Sequence, residues 1–369
     1  MKKSIFRLAL LAFITFSIIF SISASAQVIV QNGSRVNNYA RFDTAVNHAQ
    51  AGDTLYLSEL NNNIGSYSSY YGSGGLTINK ELHIFGTGIH PDSTLASGIS
   101  YLHGDILLTQ GASHFSISGV YIDNIYIGKT YRDTISYVDI NRCYISAQIV
   151  VNGSSNGYTY ISNLLIRQNI CGKINSDADY YYVSNCTVSN NIATEIAYFG
   201  NNSVVSNNVL IDSVGYYWGG SSKIGDLFEN NYATIENNII LSSKIDSNLN
   251  LDATYKNNLT ISKIINPCSS CSFSGNLVQS KDSIFTNFGL YDLVNNPPQL
   301  IRYNFHLKTG CKGIGKGSDG NDIGIYGGLY PWKDGDLPIN PHIQSKSIGT
   351  TLDASGNLKV NVTVEAQQK

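Results

Sequence analysis

The chain has 369 residues, a formal charge of −2 and only 14% charged residues, with 34 Gly, 25 Tyr and 40 Asn against 7 Pro and 1 Met. So little charge leaves no basic stripe for nucleic acid or for an anionic membrane surface, which excludes both as partners. Strand formers outnumber helix formers, which points to an all-β fold.

The N-terminus reads as a secretory leader. Lys2, Lys3 and Arg7 precede an apolar run from Leu8 to Ile22, and Ala24-Ser25-Ala26 offers a small-residue cleavage site before Gln27. The run is short for a membrane anchor, and no later stretch is apolar enough to span a bilayer. Cleavage removes three cations and no acidic residue, taking the charge from −2 to −5. The expected location is outside the cell, secreted or at the surface, or in the periplasm. The expected division is a leader over 1–26, a solenoid over 27–328, and a linker with a tail strand over 329–369.

Phe42, Ala45, Val46 and Ala49 recur at helical spacing, which predicts a short amphipathic helix. Before a solenoid, such a helix covers the open end of the sheet. Thr54 to Leu57 reads as the first strand, Asn61 to Gly75 as a loop, and Thr77-Ile78 with Leu82 to Phe85 as a further strand pair.

The centre of the chain repeats. An apolar residue, two mostly small or polar residues and then Asn recur at Ile166 to Asn169, Val188 to Asn191, Val205 to Asn208, Ile235 to Asn238, Tyr255 to Asn258 and Phe273 to Asn276. Ile117 to Val120 and Ile140 to Cys143 are earlier copies with other residues in fourth place. The fourth positions are separated by 17 to 30 residues. A regular motif at irregular steps describes coils with a fixed inner path and variable surface turns. Asn169, Asn191, Asn208, Asn238, Asn258 and Asn276 are expected to stack as an amide ladder, with Asn also suited to left-handed backbone at the bend. Glu236 and Lys256 are expected on adjacent coils.

Six Cys occur: Cys143, Cys171, Cys186, Cys268, Cys271 and Cys311. Cys268 and Cys271 form a C-x-x-C with no second pair to complete a zinc site, so a small loop staple or two free thiols are expected. Cys143 and Cys186 fall within the repeats, where buried free thiols are the rule.

After Leu277 the repeat fades. Tyr303 to Leu307 and then Gly315 to Gly324, which contains Asp319-Gly320-Asn321-Asp322-Ile323-Gly324, resemble the closing signature of bacterial right-handed parallel β-helix proteins of the pectate-lyase-like superfamily. Cys311 departs from it where Ser is common. The resemblance covers about residues 40 to 328 and implies a right-handed parallel β-helix with a capping helix. It implies little about function, because the fold carries lyases, polygalacturonases and adhesins alike. In the tail, Leu358, Val360, Val362 and Val364 alternate with polar residues as a half-buried strand, expected to pack on the last coil.

A lyase on this scaffold needs a basic residue beside a uronate and a cation to hold the developing anion. Arg142, Arg167, Lys173 and Lys223 are candidate bases, Arg167 and Lys223 being retained. Asp177, Asp179, Asp226 and Glu229 are candidate Ca2+ ligands, Asp226 and Glu229 being retained. They form no dense acidic cluster, and the motifs of polygalacturonases are absent. No cofactor is expected apart from Ca2+ in the lyase reading. Clustered aromatics are the better lead: Tyr216, Tyr217 and Trp218 in the longest step, Tyr180 to Tyr182 with Tyr181 central, and Tyr67, Tyr70 and Tyr71. Flat aromatic faces suit sugar rings. The leading expectation is a monomeric extracellular β-helix that contacts polysaccharide without obvious catalysis. The alternatives are a diverged Ca2+-dependent lyase and a structural or adhesive surface module.

Overall fold

The computed structural model describes residues 28–66, 74–90, 93–94, 97–128, 132–151, 159–176, 183–200, 202–211, 227–228, 232–241, 252–262, 270–287, 304–334 and 341–366. The leader lies outside them, as do Lys223, Tyr181, Tyr216, Tyr217, Trp218, Asp226 and Glu229.

The chain folds as an all-β parallel β-helix. A first sheet runs from the N-terminal strands through Asp53–Leu57 and Leu82–Phe85 to Ser116–Ser118, Asp139–Asn141, Leu165–Arg167, Thr187–Ser189, Val204–Ser206, Thr234–Glu236, Thr254–Lys256 and Ser272–Ser274. A second sheet runs alongside it, from Leu60–Gly65 through Ser100–Leu108, Tyr121–Ile127, Tyr144–Val151 and Ile170–Ser176 to Leu277–Val278. A short third sheet joins Thr134–Ser136, Tyr160–Ser162 and Val183–Ser184. Corresponding residues of successive coils pair in parallel, so one motif position becomes one column. Ile84, Ile117, Ile140, Ile166, Val188, Val205, Ile235 and Tyr255 form such a column, each 0% exposed. Burying aliphatic side chains coil upon coil is the main stabilising term, at roughly 25 cal/mol per Å².

The helix Phe42–His48 buries Phe42, Ala45 and Val46 at the N-terminal end. Beside it, Val28–Asn32 pairs antiparallel with both Arg35–Tyr39 and Asp53–Leu57. Asp53 anchors this cap. Its carboxylate, 0% exposed, accepts bonds from Asn32 Nδ2, Arg35 Nη2 and the Gln50 amide. Burial pushes its pKa up, but the Gln50, Asn32 and Arg35 hydrogen bonds outweigh that and hold it below the ordinary carboxylate value. A lowered folded pKa contributes stability above the unfolded pKa of about 3.9 and loses it as pH falls through the folded value. The midpoint of thermal unfolding is therefore expected to fall as pH drops below about 4, and Asp53→Asn to flatten that fall. An unchanged acid limb in the variant would count against the assignment.

The segment expected as a loop from Asn61 to Gly75 begins as strand Leu60–Gly65. Leu60, Asn62 and Ile64 point inward, and Asn62 Oδ1 accepts the amide of Phe42 at 2.6 Å, so a polar run became an inner strand by capping the helix. Leu76–Ile78 pairs with Ser100–Leu108 and Leu82–Phe85 with Ser116–Ser118, so the two belong to different sheets and do not form a pair.

The left-handed residue of the motif is the third, not the fourth. Gly119, Arg142, Gln168, Asn190, Asn207, Asn237, Asn257 and Gly275 all have φ between 51° and 71°. The fourth residue follows the bend and turns its side chain inward.

The closing segment does not simply end the last coil. Residues 304–332 run back over the outer face of the second sheet, covering an apolar column that includes Ile192, Val209, Ile239 and Leu259 with Phe305, Ile323, Ile325 and Trp332. The third-position side chains hold it there. Asn237 Nδ2 donates to Ser318 Oγ, Asn207 Nδ2 to the Gly324 carbonyl, Asn190 Nδ2 to the carbonyls of Ile325 and Gly327, and Gln168 Nε2 to that of Pro331. Trp332 Nε1 donates in turn to the Asn190 carbonyl.

The tail strand Leu358–Glu365 pairs antiparallel with His342–Leu352, and its apolar row is exposed, not half-buried. Cys271 is disulfide-bonded, whereas Cys143, Cys171, Cys186 and Cys311 are buried free thiols. Burial pushes the Cys186 thiol up to about 12, which makes it unreactive.

Candidate functional site

The Asn column is a continuous hydrogen-bonded ladder. Asn191 Oδ1 accepts the backbone amide of Asn169 at 2.9 Å and its Nδ2 at 3.0 Å. Asn208 serves Asn191 in the same way, Asn238 serves Asn208, Asn258 serves Asn238 and Asn276 serves Asn258. Each Nδ2 also donates to the carbonyl of the apolar first-position residue one coil earlier, as Asn238 does to Val205. With both amide groups used internally and Asn169 to Asn258 at 0% exposure, this column is architecture and offers no ligand surface.

The described cations that a lyase would use are engaged by neighbours. Arg167 Nη2 pairs with Asp139 at 2.8 Å, and its guanidinium lies 4.7 Å over the Tyr330 ring. Arg142 is buried and bonds Gln168 Oε1 through Nε. Lys173 pairs with Glu195 at 2.9 Å. These two sit in an outward row of the second sheet, Asp105, Asn124, Gln148, Lys173 and Glu195, placed side by side by the strand register. Nearby, Asp123 accepts from the Gly104 amide and Ser146 Oγ. Burial first, and then Asp123, pushes the Tyr101 phenol up. Among the described residues no group of three His, Cys, Asp or Glu is placed to share a metal ion. No helix among them is long and apolar enough to cross a membrane.

The most distinctive surface lies at the other bend of each coil, just before the first sheet. His114, Tyr137, Asn163, Asn185, Asn202, Tyr232 and Asp252 occupy the same place in successive coils, each two residues before its strand, and every one is left-handed with φ between 53° and 65°. Asn tolerates that backbone; for a ring-bearing residue it costs about 1–2 kcal/mol. Three of the seven are nonetheless aromatic, and all three are exposed. Tyr137 is 56% and Tyr232 46% exposed, and the His114 and Tyr137 rings stack at 4.9 Å and 11°. Between the two tyrosines the row steps down to the short side chains of Asn163, Asn185 and Asn202. Tyr137 and Tyr232 are four coils apart, about 19 Å at the usual strand spacing. The result is a shallow trough with an amide floor and a ring at each end. Ser136, Ser162 and Ser184 of the third sheet flank it, Tyr160 of that sheet is 50% exposed, and the row carries no Lys or Arg.

This row is not one of the aromatic clusters expected from sequence, because its rings are spread over separate coils. Its signal was present: three residues before each motif start stand His114, Tyr137, Asn163, Asn185, Asn202, Tyr232 and Asp252.

No protein-family model, curated protein or solved structure matches the chain.

Proposed function

We propose that the protein is an exported β-helix of the pectate-lyase-like class that holds a neutral polysaccharide strand along the Tyr137 to Tyr232 trough without cleaving it. The observation that carries this reading is the retention of exposed rings at left-handed positions where Asn is the unstrained choice. Strained backbone kept at the surface is a mark of binding. Rings of Tyr137 and Tyr232 stack on the apolar faces of sugar rings, and the Asn163, Asn185 and Asn202 amides, with the flanking serines, meet the hydroxyls. A row without Lys or Arg favours neutral glycans over uronates, whose carboxylates would find no cation. The engagement of Arg142, Arg167 and Lys173 by neighbours supports binding over elimination chemistry.

The test is a panel of soluble neutral and uronate polysaccharides followed by calorimetry and by absorbance of unsaturated products. The expected outcome is binding to at least one neutral glycan and no release of unsaturated uronate, with or without Ca2+. Product release, or binding confined to uronates, would overturn the reading.

A further inference from the structure

The antiparallel register of the C-terminal hairpin sets Ile343 opposite Val364, Lys346 opposite Val362, Ile348 opposite Val360 and Leu352 opposite Leu358. Opposed residues in an antiparallel pair share a face. One face therefore carries seven aliphatic side chains and a single charge, Lys346. The other carries His342, Ser345, Ser347, Asn361, Thr363 and Glu365. The aliphatic face is bare: Ile343 is 36% exposed, Ile348 59%, Leu352 64%, Leu358 47%, Val360 53%, Val362 51% and Val364 57%. A two-stranded hairpin is marginal in water without a covered face, and apolar patches of this kind mark interaction surfaces.

We propose that this face packs against the same face of a second copy, forming a two-fold, four-stranded sandwich that joins two β-helices. The inference is independent of the glycan reading and replaces the monomer expected from sequence.

Three observations choose a second copy over other occupants. The first is size. The exposed part of the seven side chains amounts to about 600 Å² per copy, about 1,200 Å² per pair, which reaches the lower end of stable interfaces. The second is pattern. A two-fold axis places identical faces against each other, so length and aliphatic character match by construction. Lys346 extends its stem to the rim and keeps its ammonium in water. The third is composition. A lipid-facing surface carries aromatic anchors and a basic border, and this face has no Phe, Tyr or Trp and one Lys. The solenoid of the same copy leaves the face uncovered, as the exposures above show.

Sedimentation equilibrium of the purified protein between about 1 and about 100 μM is expected to show a monomer–dimer equilibrium. Val360→Lys with Val362→Lys weakens it at least about tenfold, an expected loss of 1.4 kcal/mol or more. Ser347→Lys with Asn361→Lys, on the polar face, leaves it unchanged. Because two lysines can unfold the hairpin, Val360→Thr with Val362→Thr provides a second arm. Threonine keeps the strand preference and the shape but loses apolar surface, and dimerisation again weakens. A wild type that stays monomeric over this range overturns the proposal. So does a dimer that both face variants leave intact, and so does liposome capture of the monomer.

Discussion

Asn238→Ala lowers the unfolding free energy by about 2–4 kcal/mol, more than any single substitution on the outer faces of the coils. Asn238 is 0% exposed, and its Oδ1 is an acceptor for the Asn208 amide and for Asn208 Nδ2. Its own Nδ2 donates to the Val205 carbonyl and to Asn258 Oδ1. Alanine leaves the Asn208 amide without its acceptor inside the stack, and an orphaned buried donor costs about 1–3 kcal/mol. The space vacated by the amide adds to that. Asn238→Asp separates the two contributions. It keeps the volume and an acceptor, loses both donors and brings a charge to Asn258 Oδ1, so it destabilises at least as much as alanine. Glu236→Ala is the control from the same strand: Glu236 faces outward and accepts a bond from Ser318 Oγ at the surface, so less than about 1 kcal/mol is expected. Denaturant or thermal unfolding reads the order directly. A Glu236→Ala that costs more than Asn238→Ala would reverse the assignment of inner and outer positions.

The architecture was legible because it is written in columns. A parallel solenoid sets equivalent residues side by side, so the apolar first position and the Asn fourth position keep their spacing even where surface turns lengthen the step from 17 to 30 residues. Contacts made across columns were less legible. Asn190, Asn207 and Asn237 stand in the motif only as small or polar residues, yet they are left-handed and their amides hold a segment more than 80 residues away, from Ser318 to Gly327. Arg167 read as a free base until Asp139, one coil back, and Tyr330, in the returning segment, were brought to it. His342–Leu352 read as linker because Gln344, Ser345, Lys346 and Ser347 hide its alternation, and only pairing with Leu358–Glu365 shows which face they share. The aromatic row was hidden by the opposite habit. Clustered tyrosines attract attention in a sequence, whereas Tyr137 and Tyr232 are 95 positions apart and become members of one surface only when coils are stacked.

Tyr137→Asn separates binding from stability. The substitution installs the residue that Asn163, Asn185 and Asn202 already provide at the same bend, so backbone strain of about 1–2 kcal/mol is relieved. Against this stands the loss of stacking on His114, worth about 0.5–1.5 kcal/mol. The two nearly cancel, and the unfolding midpoint is expected to stay within a few degrees of wild type. Affinity for a neutral glycan, in contrast, falls by about 1–3 kcal/mol, the range for truncating an aromatic anchor, or roughly 5- to 150-fold. Tyr137→Phe keeps the ring and most of the affinity if stacking is the interaction. Tyr232→Asn is expected to lose a similar amount, and because the two rings lie about 19 Å apart with no shared partner, their losses add in the double variant. Additivity is the informative result, since one polysaccharide strand bridging the trough touches both rings in the same complex. A Tyr137→Asn protein that binds like wild type, or one that loses stability to the extent of Asn238→Ala, would show that the ring is kept for packing and that the trough is not the glycan surface.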